Sequence, residues 1–135
     1  MEIFDPYAHA LAALALWAVL VCVLSMLSTV GRTAEARCEC GKPKRDYSDP
    51  VYRRERAFMN AVEGGGPFVA VTLAAILSGA SPFMVNLFAS VYLLARIGMA
   101  FVHIKTENQP ARSVFFLIGL ISILGLVISV LRAVF

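Results

Sequence analysis

Apolar residues fall into four long runs that are separated by short polar segments. The runs cover about residues 7–30, 57–79, 82–105 and 110–134. An α-helix needs about 20 mostly apolar residues to cross a hydrocarbon layer of roughly 30 Å, and backbone groups in lipid must be hydrogen-bonded within the segment. The pattern therefore predicts an all-α, integral membrane four-helix bundle. Short connections favour an antiparallel, up-down arrangement, and we expect a single domain spanning residues 1–135.

The composition agrees with a membrane protein. Hydrophobic residues make up 59% of the chain and charged residues 16%, which is too apolar for an ordinary soluble domain. The one alternative, a soluble all-α domain, is strongly disfavoured on this ground. The first apolar run does not resemble a signal peptide, because only Glu2 and Asp5 are charged before it and the run is too long.

Basic residues are distributed unevenly between the connections. The third connection holds Lys105, with Arg112 just beyond it, and the C-terminus has only Arg132. By the positive-inside rule, the loop at about residues 31–50 and the third connection are cytoplasmic, and both termini lie on the opposite side. The net charge of +3 reflects this topology, so no nucleic-acid partner is expected. The first connection contains most of the basic residues: Arg32, Arg37, Lys42, Lys44, Arg45, Arg53 and Arg54.

The three cysteines give little indication of chemistry. Cys22 lies in the middle of the first run, whereas Cys38 and Cys40 form a C-x-C pair in the first loop. Disulfides are rare on the reducing cytoplasmic side of a membrane. A metal site would need two further ligands, and neither histidine is expected near this loop, so we predict a solvated loop without a metal.

The second apolar run begins with a stripe of polar residues in the stretch RAFMNAVEGGGPF, residues 56–68. Counting along the helices at about 1.5 Å per residue places Glu63 and Arg96 at the same depth, roughly 22 Å from the far boundary. Charges inside a span usually pair, which predicts a Glu63–Arg96 ion pair. The spacing of three and four residues puts the stripe on one helix face: Arg53, Arg56, Asn60 and Glu63.

The run Gly64-Gly65-Gly66-Pro67 predicts an irregular helix at the level of this carboxylate, because Pro67 removes an N–H and crowds the carbonyl of Glu63. Two interpretations remain open. Irregular backbone at membrane depth is tolerated beside a ligand cavity, or the glycines allow close helix packing with Glu63–Arg96 as a structural ion pair.

The fourth helix begins with Asn108-Gln109-Pro110, which predicts an N-terminal cap and proline in the first turn. Arg112 and Ser113 then lie where free N–H groups favour an anion. The alternative role for Arg112 is anchoring of the span. His103 follows Arg96 by seven residues and shares its face. Together with the stripe, these residues predict a polar mouth suited to a small zwitterionic ligand with more acidic than basic groups.

The motif R-A-F-M-N-A-V-E-G-G-G-P-F resembles the second-helix motif of the MAPEG family, membrane-associated proteins in eicosanoid and glutathione metabolism. The similarity continues through Ser81-Pro82-Phe83, Ala95-Arg96 and Pro110-x-Arg112-Ser113. It is closest to the prostaglandin E synthase branch of the family and suggests a bacterial-type member. The resemblance implies a homotrimer that binds glutathione between neighbouring subunits near the cytoplasmic side.

The resemblance also implies residue roles. Arg112 would stabilise the glutathione thiolate and Ser113 would assist it. Binding positions would include Arg56, Asn60, Glu63 and Arg96, with Arg53, His103 and Arg32 as further candidates. The sequence departs from relatives at Met59, Met99, His103 and Gly64, so several polar contacts to the tripeptide are missing, and glutathione either sits differently, binds weakly or is replaced by another ligand. The three glycines would leave room beside Glu63 where relatives place larger groups.

Three functions are consistent with these observations. The first is a glutathione-dependent transferase, peroxidase or isomerase that acts on a lipophilic small-molecule substrate from the bilayer. The second is a non-catalytic binding or scaffold protein of the same fold, held together by Glu63 and Arg96. The third, a proton-linked transporter, is weaker because only one carboxylate lies at depth.

Overall fold

The computed structural model describes residues 2 to 135 as helices joined by turns and one longer loop. A 3-10 turn, Glu2–Tyr7, leads directly into α1, Ala8–Thr29. α2, Pro50–Glu63, and α3, Gly65–Leu77, follow with only Gly64 between them. The last two helices are α4, Pro82–Lys105, and α5, Gln109–Val134. Between residues 2 and 135 the element order contains no β-strand.

Four helical segments are long and apolar enough to cross a membrane, and α2 and α3 together form one of them. The prediction of an all-α protein with four membrane-spanning helices is therefore confirmed. The predicted irregularity at the glycine–proline run is also confirmed, because the second span is interrupted at Gly64.

Local sequence accounts for where the helices begin and end. The Asp49 carboxylate accepts a hydrogen bond from Val51 N at 2.8 Å, and Pro50 occupies the first turn of α2. Asn108 caps α5 in the same way, accepting from Ala111 N at 3.0 Å. After α3 the chain turns at Gly79, whose φ of +67° is a backbone conformation that glycine adopts readily.

The core between the spans is aromatic at its centre and lined by small residues. Phe68 and Tyr92 stack with ring centroids 4.0 Å apart, and Trp17 meets Phe68 edge-on. Because alanine side chains are small, they let the helix backbones approach closely. The buried alanines include Ala10, Ala13, Ala75 and Ala89.

Hydrogen bonds tie the start of α1 to the start of α4. The Tyr7 hydroxyl donates to Ala80 O at 2.6 Å, and the Asn86 amide donates to Pro6 O and accepts from Ala10 N. We call this end of the molecule, which contains residues 78–81, the turn end. The opposite end contains residues 30–49 and 106–108, and we call it the loop end.

The loop from residue 30 to residue 49 is folded and not merely solvated. Residues 36 to 44 form a short hairpin with a bridge between Arg37 and Pro43. Within it Cys38 is bonded to Cys40, which corrects the expectation that a disulfide would not form in this loop. The main-chain hydrogen bonds of the hairpin bring the two cysteines together, a pairing that their spacing alone did not predict.

Candidate functional site

A polar cavity lies at the loop end, between α2, α4 and the first turns of α5. Its volume is about 240 Å³. Two arginines contribute to its wall, and no carboxylate belongs to the lining, so we call it the cationic cavity. The side chains that line it are Tyr47, Arg56, Asn60, Met99, His103, Gln109, Arg112, Ser113 and Phe116.

The start of α5 positions the two residues predicted to carry the chemistry. Arg112 is buried, with 9% of its surface exposed, and Ser113 is exposed beside it. The Ser113 hydroxyl donates to Gln109 O at 3.2 Å. Both residues follow directly on the first turn, which Asn108 caps, and the helix dipole favours negative charge at this end. This end of α5 therefore presents a cation and partial positive charge to the same cavity.

Tyr47 from the loop covers this cation. Its ring centre lies 4.2 Å from the Arg112 guanidinium carbon, within the range of a cation–π contact. The sequence did not identify Tyr47, because a loop residue has no periodicity from which its position could be inferred. Its only signal is that it is the single aromatic residue in the sequence of the loop from residue 30 to residue 49.

Hydrogen bonds hold the backbone around Tyr47 in place. Arg53 donates from Nη1 to Tyr47 O at 2.8 Å and to Ser48 O at 3.1 Å, and it also pairs with Glu107 at 3.4 Å. Ser48 donates from its N–H and its hydroxyl to Asp46, and these bonds lower the pKa of that carboxyl below its usual value. Arg53, predicted as a binding residue, does not line the cavity and instead fixes the loop that does.

A second cavity of about 250 Å³ continues from the first toward the middle of the bundle, and we call it the inner cavity. It shares Asn60 and Phe116 with the cationic cavity. Arg96 projects into it and is buried, with 4% exposed. The lining residues are Asn60, Glu63, Gly64, Pro67, Arg96, Phe116, Leu120 and Ile123.

The predicted Glu63–Arg96 ion pair is wrong. Arg96 donates from Nη1 to Asn60 Oδ1 at 2.8 Å and lies over the Tyr92 ring. Glu63 is largely exposed and pairs with Arg56 at 3.8 Å. Glu63 and Arg96 line the same cavity at the same depth, as counting residues along the helices predicted. However, α2 is rotated so that Asn60, and not Glu63, faces the guanidinium. Depth along a helix follows from counting residues, whereas rotation depends on packing.

The three glycines serve different purposes. A Cβ at Gly64 would lie 2.7 Å from the Tyr92 hydroxyl, which donates to Gly64 O, and a Cβ at Gly65 would clash with the Trp17 ring. Only at Gly66 is there open space. The close-packing interpretation therefore holds at Gly64 and Gly65, and the expected room beside Glu63 is present as the inner cavity, which Glu63 and Gly64 both line.

Arg32 lies outside both cavities. It donates to the buried Glu55 and to Ser28 O, and Lys42 lies 3.8 Å from the same carboxylate. A buried carboxylate requires partners of this kind. Arg32 therefore joins the end of α1 to α2, and its assignment as a binding residue stays a prediction.

Three buried nitrogen atoms near the cavities have no hydrogen-bond partner: Nη1 of Arg112, Nε of Arg96 and Nδ1 of His103. Buried polar groups are nearly always paired, so unpaired ones require an explanation. All three belong to residues that line the cationic or the inner cavity. Three further unpaired nitrogens, on Trp17, Arg53 and Arg54, belong to residues outside both cavities, so the three on cavity-lining residues suit a ligand that accepts hydrogen bonds without by themselves defining its site.

The fold and the site together define a class of protein: a multi-pass helical membrane protein with a cationic cavity at one end. The family model for MAPEG sequences matches residues 7–132, which is nearly the whole chain. The chain therefore belongs to the MAPEG family, and it is an integral membrane protein with four spans. No curated protein matches it.

Proposed function

We propose that this protein binds glutathione in the cationic cavity and the inner cavity, and that it promotes attack of the glutathione thiolate on lipophilic electrophiles. The observation that carries the proposal is the buried Arg112 guanidinium, whose Nη1 has no protein partner, at the N-terminal turn of α5. Membership of a family associated with glutathione supports the same ligand.

The charges of the site suit this ligand. Glutathione has two carboxylates, one amino group and a thiol, so it carries more acidic than basic groups. Arg56 and Arg112 line the cationic cavity, Arg96 lines the inner one, and Glu63 is the single carboxylate among the lining residues. Each cavity measures close to 250 Å³, and a ligand that occupied both adjacent cavities would reach the range of small-molecule sites, about 300–1,000 Å³.

The proposed chemistry depends on the ionisation of a thiol. A free thiol has a pKa near 8.5, and a cation or helix N-terminus beside it lowers that value and raises the thiolate fraction at neutral pH. Arg112 supplies both features from one position. Ser113, exposed beside it, would donate a hydrogen bond to the sulfur. Asn60, Arg56 and His103 would bind the peptide part, and Glu63 would receive its amino group.

The lipophilic substrate would reach the sulfur from the bilayer. Phe116 lies on the wall common to both cavities and is half exposed on the outer surface of α5. Other large apolar side chains are exposed along the same helix, including Val114, Leu117 and Leu120. An apolar electrophile dissolved in lipid would therefore meet the site without crossing water. Transferase, peroxidase or isomerase activity would all start from the same thiolate.

The proposed assembly is a homotrimer of antiparallel, up-down bundles, with the loop end in the cytoplasm and both termini on the other side. The excess of basic residues in the loop end supports this orientation. Exposed apolar side chains on α1 and α5 exceed what a soluble monomer shows, and lipid and neighbouring subunits would cover them.

A non-catalytic scaffold is the competing function, and it rested on Glu63–Arg96 as a structural ion pair. No such pair forms, and Arg96 is held by Asn60 and by aromatic faces. The feature that would have favoured a purely structural site is therefore missing, whereas the unpaired nitrogens favour a ligand.

Calorimetry in detergent or nanodiscs tests the proposal. We expect glutathione to bind in the millimolar range or tighter, and a chromogenic electrophile to be conjugated. Absence of binding at millimolar glutathione would reject the proposed function. Binding with turnover unchanged in Arg112→Ala would keep the ligand and reject the role of Arg112.

A further inference from the structure

The hairpin at residues 36 to 44 brings two cysteines together in a way that does not depend on the bond between them. Cys38 N donates to Lys42 O and Gly41 N donates to Cys38 O, both at 2.9 Å. Lys44 N donates to Ala36 O at 2.9 Å. Because these main-chain bonds shape the turn, the two sulfur atoms would stay close when the disulfide is reduced, and the bond could form again.

The surroundings of the disulfide favour exchange with a thiol. Cys40 is exposed and Cys38 is half-buried, so an attacking thiol can reach one sulfur more easily than the other. Residues 35 to 45 contain four basic side chains against two acidic ones. Nearby cations stabilise thiolates, which makes a cysteine both a better leaving group and more often ionised at neutral pH.

The position of the disulfide also distinguishes it from a structural one. In the proposed topology the loop end faces the cytoplasm, where a stable structural disulfide is uncommon and a bond that does form is usually catalytic or redox-sensing. The hairpin is also attached to the helix that carries the proposed site. The Lys42 ammonium lies 3.8 Å from Glu55 and 3.7 Å from the Met59 sulfur, both on α2.

We propose that Cys38 and Cys40 form a thiol–disulfide exchange site whose reaction partner is a low-molecular-mass thiol such as glutathione. The choice of glutathione rests on the proposed function and the distinction from a structural disulfide rests on the proposed topology, whereas the closeness of the two sulfur atoms rests on the hairpin alone. In the first step the thiolate attacks Cys40 Sγ, the Cys38–Cys40 bond breaks, and Cys38 leaves as a thiolate that takes up a proton.

In the second step another thiolate attacks the small-molecule sulfur of the mixed disulfide on Cys40. Cys40 leaves as a thiolate and is protonated, and the two small thiols depart joined as a disulfide. Two small thiols are thus oxidised and lose two protons and two electrons, which reduce one protein disulfide to two thiols. The reverse sequence oxidises the cysteine pair.

The test uses the full chain with Cys22→Ser, which leaves only the two hairpin cysteines able to react. The protein in nanodiscs is equilibrated with mixtures of reduced and oxidised glutathione, quenched with acid and alkylated, and its intact mass is measured. We expect two thiols to appear together as the mixture becomes more reducing, and to disappear when it is made oxidising again.

Two results would overturn the proposal. One is a disulfide that dithiothreitol reduces but no glutathione mixture does. The other is a cysteine pair that stays reduced, or carries only separate glutathione adducts, in every mixture. Cys40→Ser is the matched control, and it should leave a single alkylatable thiol that cannot form the internal bond.

The same variants separate this proposal from the proposed function. Cys40→Ser should abolish the paired titration and retain glutathione conjugation. Arg112→Ala should lose conjugation and retain the titration. Loss of glutathione binding in the main site with an intact titration would reject the function and leave the exchange site standing.

Discussion

Each end of the molecule has a cavity, and the larger of the two has fewer charged and polar side chains in its wall. The cavity at the turn end measures about 480 Å³, roughly twice the cationic cavity, and its wall is mostly apolar. It contains one cation, Arg132, which is exposed near the end of α5. The cationic cavity brings together buried arginine, histidine and amide groups whose hydrogen-bonding capacity is partly unused.

The difference shows why volume does not identify a functional site in a membrane protein. An apolar depression between helices is readily filled by lipid chains, because lipid is as apolar as its lining. A buried guanidinium in the same environment costs free energy unless it pairs with a counter-charge or a hydrogen-bond acceptor, which a ligand can supply. The ends also differ in what holds them together. At the turn end the side chains of Tyr7 and Asn86 donate hydrogen bonds to backbone carbonyls, whereas at the loop end the Tyr47 ring covers Arg112.

The largest effect is expected from Arg112→Ala, with Arg132→Ala as the matched control at the other end. Removing one positioned charge from a developing or stabilised anion typically costs about 10²–10³ in rate. We expect a loss of that size in conjugation turnover for Arg112→Ala, and a change of less than about twofold for Arg132→Ala. Similar losses in both variants would show that a charge at either end of α5 affects turnover, and would contradict the distinction between the two ends.

The second prediction concerns Asn60, the partner of the buried Arg96. Leaving a buried charged donor without its partner costs about 1–3 kcal/mol, so Asn60→Ala should lower the melting temperature in detergent by several degrees. Because the Asn60 side chain lines both cavities, the same variant should also weaken glutathione binding about tenfold. The measurements are thermal unfolding and calorimetry.

A double variant separates the two roles of Asn60. Replacing a buried polar pair with apolar residues of similar volume is often neutral for stability. Asn60→Leu combined with Arg96→Met should therefore recover much of the melting temperature without recovering glutathione binding. Recovery of both properties would contradict the assignment of these residues to the ligand site.

The sequence predicted the helices well, because their signals are local. Apolar runs of sufficient length gave the spans, and Asp49 and Asn108 with the prolines that follow them marked two helix starts. Candidate residues on α2 and α5 converged on one cavity because helical spacing places residues three or four apart on one face.

What the sequence could not predict depended on packing between elements. The partner of Arg96 was missed because counting residues gives depth and not rotation, and α2 is rotated so that Asn60 faces α4. Tyr47 was missed because its position depends on two carbonyl hydrogen bonds to Arg53 and on a side-chain turn at Asp46. The contact of Arg32 with Glu55 was missed because Glu55 has no distinguishing pattern in the sequence.

The third prediction tests the closure of the loop end. The Tyr47 ring lies against the Arg112 guanidinium, and a contact of this type at a partly exposed site contributes about 0.5–1 kcal/mol. Tyr47→Ala should therefore raise the KM for glutathione about two- to fivefold, and Tyr47→Phe should leave it nearly unchanged because the ring is retained. Steady-state kinetics over a range of glutathione concentrations measures both. Equal effects of alanine and phenylalanine would assign the role to the hydroxyl and reject the ring contact.

The smallest functional effect is expected at the turn end, where closure is purely structural. Tyr7→Phe removes the buried hydrogen bond to Ala80 O and should cost about 1 kcal/mol, a fall of a few degrees in melting temperature. Glutathione KM and turnover should stay within experimental error, because the site lies at the other end of the spans. If Tyr7→Phe changed KM as much as Tyr47→Ala, the two ends would be coupled through α4 and the turn end would have a part in function. If Tyr7→Phe lowers only the melting temperature, the two ends are independent: the loop end carries the function and the turn end contributes only to stability.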